Sequence, residues 1–307
     1  LNIEKYDLVE SGYYLIYLNS DGNLLRYSLI FNEKKLDISS FISYQNKGFL
    51  LSGFANPGKL IEEFPQEAGK GGGDFLMMID LEGKVKWLEI VSYKKETCCS
   101  YFSKMCKIAV APNGTIYLGG TYYEGGIFGN TKTIVSPKTK NESTNRPYET
   151  YVAAYTAEGK LIWVETSKQL AVFSSIAANN NGVFVSYRLT NSNTAFNNKF
   201  DTTSSKNVIL SHFDNKGKMR WSRNNNTEQI HDIKTDSDNN VYILGTSSYR
   251  QVHNIVGNDT LKKTDKVYIA RYNEKGQYQW IKTTNIPITT LNESFNFFMD
   301  NCNNFYL

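Results

Sequence analysis

At 307 residues the chain is long enough for two ordinary domains or one large all-β domain, and its 34 basic and 30 acidic residues leave a net charge of +4. That charge is dispersed, so it gives no concentrated field of the kind nucleic-acid binding needs, and no run of about 18 apolar residues reads as a membrane-spanning helix. Aromatic residues reach 14%, which fits many short, half-buried strands joined by polar loops.

The chain opens on Leu1 with no charged and apolar leader, so an export signal is expected to have been removed or left out. The first readable element is a hairpin, YLIYLNSDGNLLRYS, turning at Gly22. The same pattern returns as FLMMIDLEGKVKWLE around Gly83, YVAAYTAEGKLIWVE around Gly159, VILSHFDNKGKMRWS around Gly217 and VYIARYNEKGQYQWI around Gly276. Four residues after the glycine stand Trp87, Trp163, Trp221 and Trp280, with Arg26 in that slot in the first copy. Between these hairpins a second pattern recurs, an Asn/Gly-rich turn leading into an apolar run: QNKGFLLSG, APNGTIYLGG, ANNNGVFVSY, DSDNNVYILG and, at the end, DNCNNFYL. From Gly22 through Gly83, Gly159 and Gly217 to Gly276 the steps are 61, 76, 58 and 59 residues, and the second marker keeps the same period.

Each period therefore holds four strands, a to d, with short a/b and c/d turns whose Gly and Asn residues supply positive φ. A four-stranded antiparallel unit repeated in this way predicts an all-β chain, a β-propeller of four complete blades plus two half-blades. The expected bounds are a half-blade over 1–30, full blades over about 41–91, 106–167, 174–223 and 230–283, and a half-blade over 295–307, in one propeller domain covering 1–307. The full ring is expected to be larger, with the chain a segment of it, or five-bladed if the terminal halves close on each other. The four tryptophans are read as structural, packing blade against blade.

The pattern of an Asp/Asn-Gly turn, an apolar run ending in Gly, a variable loop, then strand, Asp-x-x-Gly and Trp resembles the SBBP-type β-propeller repeats of exported Bacteroidota proteins. Residues 197–221, NNKFDTTSSKNVILSHFDNKGKMRW, carry the likeness best. The resemblance implies secretion, in the manner of type IX cargo, and an extracellular or cell-surface role without catalysis. Such proteins commonly end in a separate sorting domain, which this sequence does not include. Asp201-Thr202-Thr203 and Asp259-Thr260-Leu261 look like O-glycosylation acceptors of that group, at Thr202 and Thr260. A weaker similarity, AYTAEGKLIW over 154–163, is to the tryptophan-docking motif of PQQ-type propellers, one residue short. Quinoprotein dehydrogenases of that class can carry a vicinal disulfide, and Cys98-Cys99 is a vicinal pair, yet their calcium site and catalytic aspartate find no counterpart here.

Length variation falls on one class of connection, over about 53–73, 91–105, 120–149, 187–206 and 246–265, so one face of the disc is expected to do the recognising. Its anchor candidates are Phe54, Tyr122, Tyr123, Phe128, Tyr187, Arg188, Tyr249 and Arg250, residue types that dominate interface hot spots. No GxSxG, HExxH or P-loop occurs. His212 reads as a strand residue, and Asp236 to Asn240 as a turn rather than a calcium loop. The cysteines lack a CxxC pair, so no zinc site is expected; a Cys99–Cys106 disulfide and free thiols both stay open. No metal or cofactor is expected. The leading expectation is a non-enzymatic binding or adhesion module at the cell surface, with a protein partner, an outer-membrane assembly or a surface glycan as ligand. The alternative is a propeller enzyme, glycan-active or PQQ-dependent.

Overall fold

The computed structural model describes residues 11–32, 36–93, 106–123, 125–129, 132–134, 148–189, 208–225, 227–247, 254–257, 259–261, 267–284, 296–300 and 303–306. Local chemistry at the c/d turns explains why the repeated sequence folds into hairpins. Three residues before each turn glycine stands Asn19, Asp80, Thr156, Asp214 or Asn273. In every case its side-chain oxygen accepts the backbone N–H groups two and four residues on, as at Asp214, which takes Lys216 N and Lys218 N at 2.9 Å. The glycine then turns with φ between +77° and +86° in the first four copies and at +70° in the last, a region open to glycine at little cost. Asp236 and Asp300 do the same work at a/b turns, receiving Asn240 N and Asn304 N, so the Asp236 segment is a turn.

Strands from these turns pair antiparallel into blades. Blade 1 comprises Leu36–Tyr44, Gly48–Ala55, Gly73–Asp80 and Val85–Tyr93. In blade 2, Lys107–Val110, Ile116–Tyr123 and Tyr148–Tyr155 pair in turn with the first part of a long strand, Leu161–Asn179. That strand runs on without a break to become the inner strand of blade 3, followed by Gly182–Leu189, Val208–Asp214 and Met219–Asn225. Blade 4 is Gln229–Thr235, Val241–Thr246, Val267–Tyr272 and Tyr278–Thr284. A leading hairpin, Gly12–Leu18 with Leu24–Asn32, precedes blade 1, and a trailing pair, Phe298–Met299 with Phe305–Tyr306, follows blade 4. The chain is thus all-β, four propeller blades flanked by two half-blades.

Both faces of each blade are apolar, because alternate strand residues face opposite neighbours. Phe75, Met77 and Ile79 pack toward the leading hairpin, whereas Leu76 and Met78 pack toward blade 2. Five such cores lie between the six successive sheets. The sheets fan rather than stack flat. Packed sheets sit about 10 Å apart, so blades 2 and 4 of a flat stack would be out of side-chain reach. Yet Lys107 Nζ of blade 2 donates to His231 O of blade 4 at 3.2 Å, which requires the inner strands to converge on an axis.

Each indole closes one blade onto the next. Trp87, Trp163 and Trp221 donate from Nε1 to the carbonyls of Ala157, Asn215 and Glu274, each two residues before the turn glycine of the following blade. In the first copy Arg26 donates from Nη2 to Leu81 O, the equivalent carbonyl. Arginine in the tryptophan slot therefore keeps the hydrogen bond and, stacked at 4.1 Å over Tyr17, loses the ring.

Candidate functional site

Parts of the uneven connections lie within the described residues. Where described, they fold into short hairpins laid along blade edges. Gly126–Phe128 pairs with Val85–Tyr93 and extends the sheet of blade 1, with Lys132–Ile134 outside it. Asn254–Val256 with Asp259–Leu261 buries Val256 and Leu261 in the core between blades 3 and 4. The first covers the outer strand of blade 1, whose unpaired backbone groups would otherwise be open to other chains.

This changes the standing of the expected anchors. Phe54, Tyr122, Phe128 and Tyr187 are buried core residues and offer no surface to a partner. Phe128 and Tyr122 meet edge to face in the core between blades 1 and 2, and the Tyr187 hydroxyl pairs with Ser211 Oγ inside blade 3. An aromatic ring at a loop base gains more by completing an inter-blade core than by facing water. Arg188 is half-exposed beside Glu228, at 3.9 Å. The Tyr123 side chain, Tyr249, Arg250, Thr202, Cys98 and Cys99 lie outside the described residues. Thr260 is exposed on its edge hairpin. Cys106 is a buried free thiol whose Sγ lies 3.3 Å from Gly53 O. Trp87, Trp163, Trp221 and Trp280 are half-buried at blade junctions.

Polar groups gather in two places that the sequence does not single out. On the axis, Asp232 of blade 4 accepts Ser175 Oγ of blade 3 at 3.3 Å and Phe297 N at 3.3 Å, and pairs with Lys234 at 2.9 Å. Lys107 sits beside this cluster, and burial holds its ammonium below the ordinary value; Asp232 offsets that in part and Lys234 adds to it. His231 donates or accepts at Thr246 Oγ1, 3.0 Å away, and burial pulls its imidazole down to about 4. A carboxylate flanked by two lysines is a charge knot tying the inner strands together. Among the described residues it is not the pair of carboxylates that glycoside hydrolysis uses.

The second place is the interface of blades 1 and 2. Asp74 is fully buried, receives the Tyr151 hydroxyl at 2.7 Å, and faces Gly120, where a Cβ would come within 2.6 Å of the carboxylate. Burial pushes its carboxyl up to about 7, against the Tyr151 hydrogen bond. The residue at the same repeat position is Thr150 in blade 2, Val208 in blade 3 and Val267 in blade 4, so an apolar strand pattern hid the aspartate. His212, by contrast, is the packed strand residue expected, stacked 4.4 Å from Phe184 with Trp221 at 5.6 Å; burial takes it down to about 4.

Two of the surface concavities are lined by described residues. One, of about 480 Å³, lies between the leading hairpin and blade 1, lined by Phe31, Leu60, Ile61 and Phe64. The other, of about 350 Å³, lies between blades 3 and 4 and includes Arg223, Asn224 and Gln277. The signal for Arg223 was available, since two residues after the tryptophan every full repeat places a charge: Glu89, Glu165, Arg223 and Lys282.

No protein-family model matches the chain, and no curated protein matches it. Among solved structures it is similar to a protein of unknown function from Bacteroides caccae, with 10% identity and a TM-score of 0.28 over 90% of this chain and 92% of that one. It is similar to the apocarotenoid oxygenase of Synechocystis, with 10% identity and a TM-score of 0.37 over 87% of this chain and 55% of the oxygenase. It is also similar to the Dos1 propeller, with 11% identity and a TM-score of 0.32 over 83% and 73%.

Proposed function

We propose that this chain is a non-enzymatic binding module, exported and held at the cell surface as an adhesion subunit or as cargo of an outer-membrane assembly. What supports a protein partner is the leading hairpin. One of its faces packs on blade 1 through Tyr13, Leu15 and Tyr17. Its other face presents Ile16, Leu18, Leu25, Tyr27 and Leu29, all 40% exposed or more, with the Tyr14 and Tyr27 rings meeting edge to face. Contiguous exposed apolar surface of this kind marks a protein contact, with a further blade of the ring or with a partner, and its aromatic content suits an interface anchor.

The test is affinity capture from native outer membranes with the unaltered chain and with an Ile16→Lys, Leu29→Lys double variant, followed by mass spectrometry. A partner enriched by the first and lost with the second, at equal melting temperature, supports the reading. An unchanged set of captured proteins removes the hairpin face from it.

A further inference from the structure

Two edge hairpins are spelled alike, GIFGN over 126–130 and NIVGN over 254–258. They turn at Gly129 (φ +56°) and Gly257 (φ +59°). Each tip lies by the charged residue two places after a blade's tryptophan. A Cβ on Gly129 would stand 3.8 Å from Glu89 Oε2, and Gly257 shares the 350 Å³ cavity with Arg223. A tip glycine beside a charged side chain thus recurs with opposite charge.

We propose that the notch between blades 3 and 4 binds an acidic saccharide unit, its carboxylate on Arg223 and a hydroxyl on the Gln277 amide. The Arg223 guanidinium is held in place by Nε donating to Gly276 O at 2.5 Å and Nη1 donating to Ser222 O at 2.9 Å, with its carbon 5.6 Å from the Trp221 ring. Its Nη2 makes only a long 3.5 Å contact to Lys275 O. Among the described residues its hydrogen bonds all go to carbonyls and none to a carboxylate. A half-buried cation in a concavity, with no carboxylate partner among the described residues, is ready to donate to a carboxylate, which matches the guanidinium fork. Gln277 lines the same space with an amide whose Oε1 accepts Asn273 Nδ2 at 2.8 Å and whose Nε2 can donate to a hydroxyl. At its edge Tyr278 donates to Asp259, a carboxylate that can accept from a hydroxyl and that opposes a dianionic phosphate more strongly than the single charge of a uronate. The volume is at the lower end of small-molecule sites, the size of one sugar unit or two.

The experiment is calorimetric titration of the full chain with glucuronate, glucose and inorganic phosphate at one ionic strength. Glucuronate is expected to bind at least ~10-fold tighter than either of the others, about one RT ln 10 step. Arg223→Gln should bring it level with glucose. Equal affinities for glucuronate and glucose, tighter binding of phosphate, or glucuronate binding untouched by Arg223→Gln would each overturn the proposal. Because Arg223 also braces the Gly276 turn, Gln277→Glu serves as a second variant. It should weaken glucuronate more than glucose, because the new carboxylate repels only the anion, and unchanged glucuronate affinity there counts against the site.

Discussion

Trp221 of blade 3 sits so close to Gly276 of blade 4 that a Cβ built on the glycine would come within 2.5 Å of the ring. Trp163 with Gly217 and Trp87 with Gly159 repeat the relationship at 2.8 and 2.7 Å. The glycine is therefore needed twice, for its positive φ and for the space the indole occupies. Gly22 has a comparable φ of +80° but nothing within 4 Å of its Cβ position. Comparing Gly276→Ala with Gly22→Ala separates the two effects. The backbone strain of about 1 kcal/mol should appear in both, and a further 1 to 3 kcal/mol from overpacking only at Gly276. Urea unfolding midpoints give the answer, and equal losses would mean that the indole moves aside freely.

The hydrogen bond and the ring of the latch can be weighed apart. Trp163→Phe keeps an aromatic ring and removes the donor to Asn215 O, so it should cost about 1 kcal/mol. Arg26→Met removes the donor to Leu81 O at a largely exposed site and should cost about 1 kcal/mol or less. Since the indoles are half-buried, Trp163→Ala belongs at or below the low end of the roughly 3 to 5 kcal/mol seen for enclosed rings. Chemical denaturation of the three variants orders them.

Asp74 should make the fold less stable as pH rises. Its folded value of about 7 lies above the ordinary carboxyl value of 3.8, so between those pH values the folded state holds a proton that the unfolded chain has released. Stability is full below about pH 4, falls toward pH 7 and levels off above it, a loss on the order of a few kcal/mol. Glu89, raised to about 7 by burial, adds a slope of the same sign. His212 and His231, lowered to about 4, act oppositely between pH 4 and 6.5, where stability rises with pH. The difference between the unaltered chain and Asp74→Asn isolates the aspartate. The variant should gain relative stability steadily from pH 4 to 7, and a flat difference would show that Asp74 ionises normally.

Cys106 should resist modification in the folded protein. It is fully buried, and desolvation followed by the nearby Asp74 charge pushes its thiol well above the ordinary range, which leaves almost no thiolate to react. Iodoacetamide labelling with peptide mapping should find Cys106 unmodified in buffer and modified in denaturant. Labelling at the rate of an open thiol would contradict the burial.

The hairpins, the blade repeat and the role of the tryptophans were legible because they rest on local rules: an Asn, Asp or Thr that caps a turn, a glycine at positive φ, and alternation along a strand. Gly217 and Trp221 announce a hairpin wherever they lie in the chain. The candidate site was not legible in the same way. Tyr122 and Phe128 have the composition of interface anchors, and only their packing between two blades made them core. Asp74 looks like any strand-end aspartate until Tyr151, 77 residues away, closes over it.

By itself the sequence determined what each repeat is, since a turn and its two strands are set by residues a few positions apart. Only the tertiary structure decided which groups meet across repeats: Lys107 with His231 on the axis, Trp221 with Gly276 at a junction, Arg223 with Gln277 in a notch. Those meetings depend on how far each sheet rotates against its neighbour, a quantity fixed by the packing of whole faces and not written in any single stretch of chain.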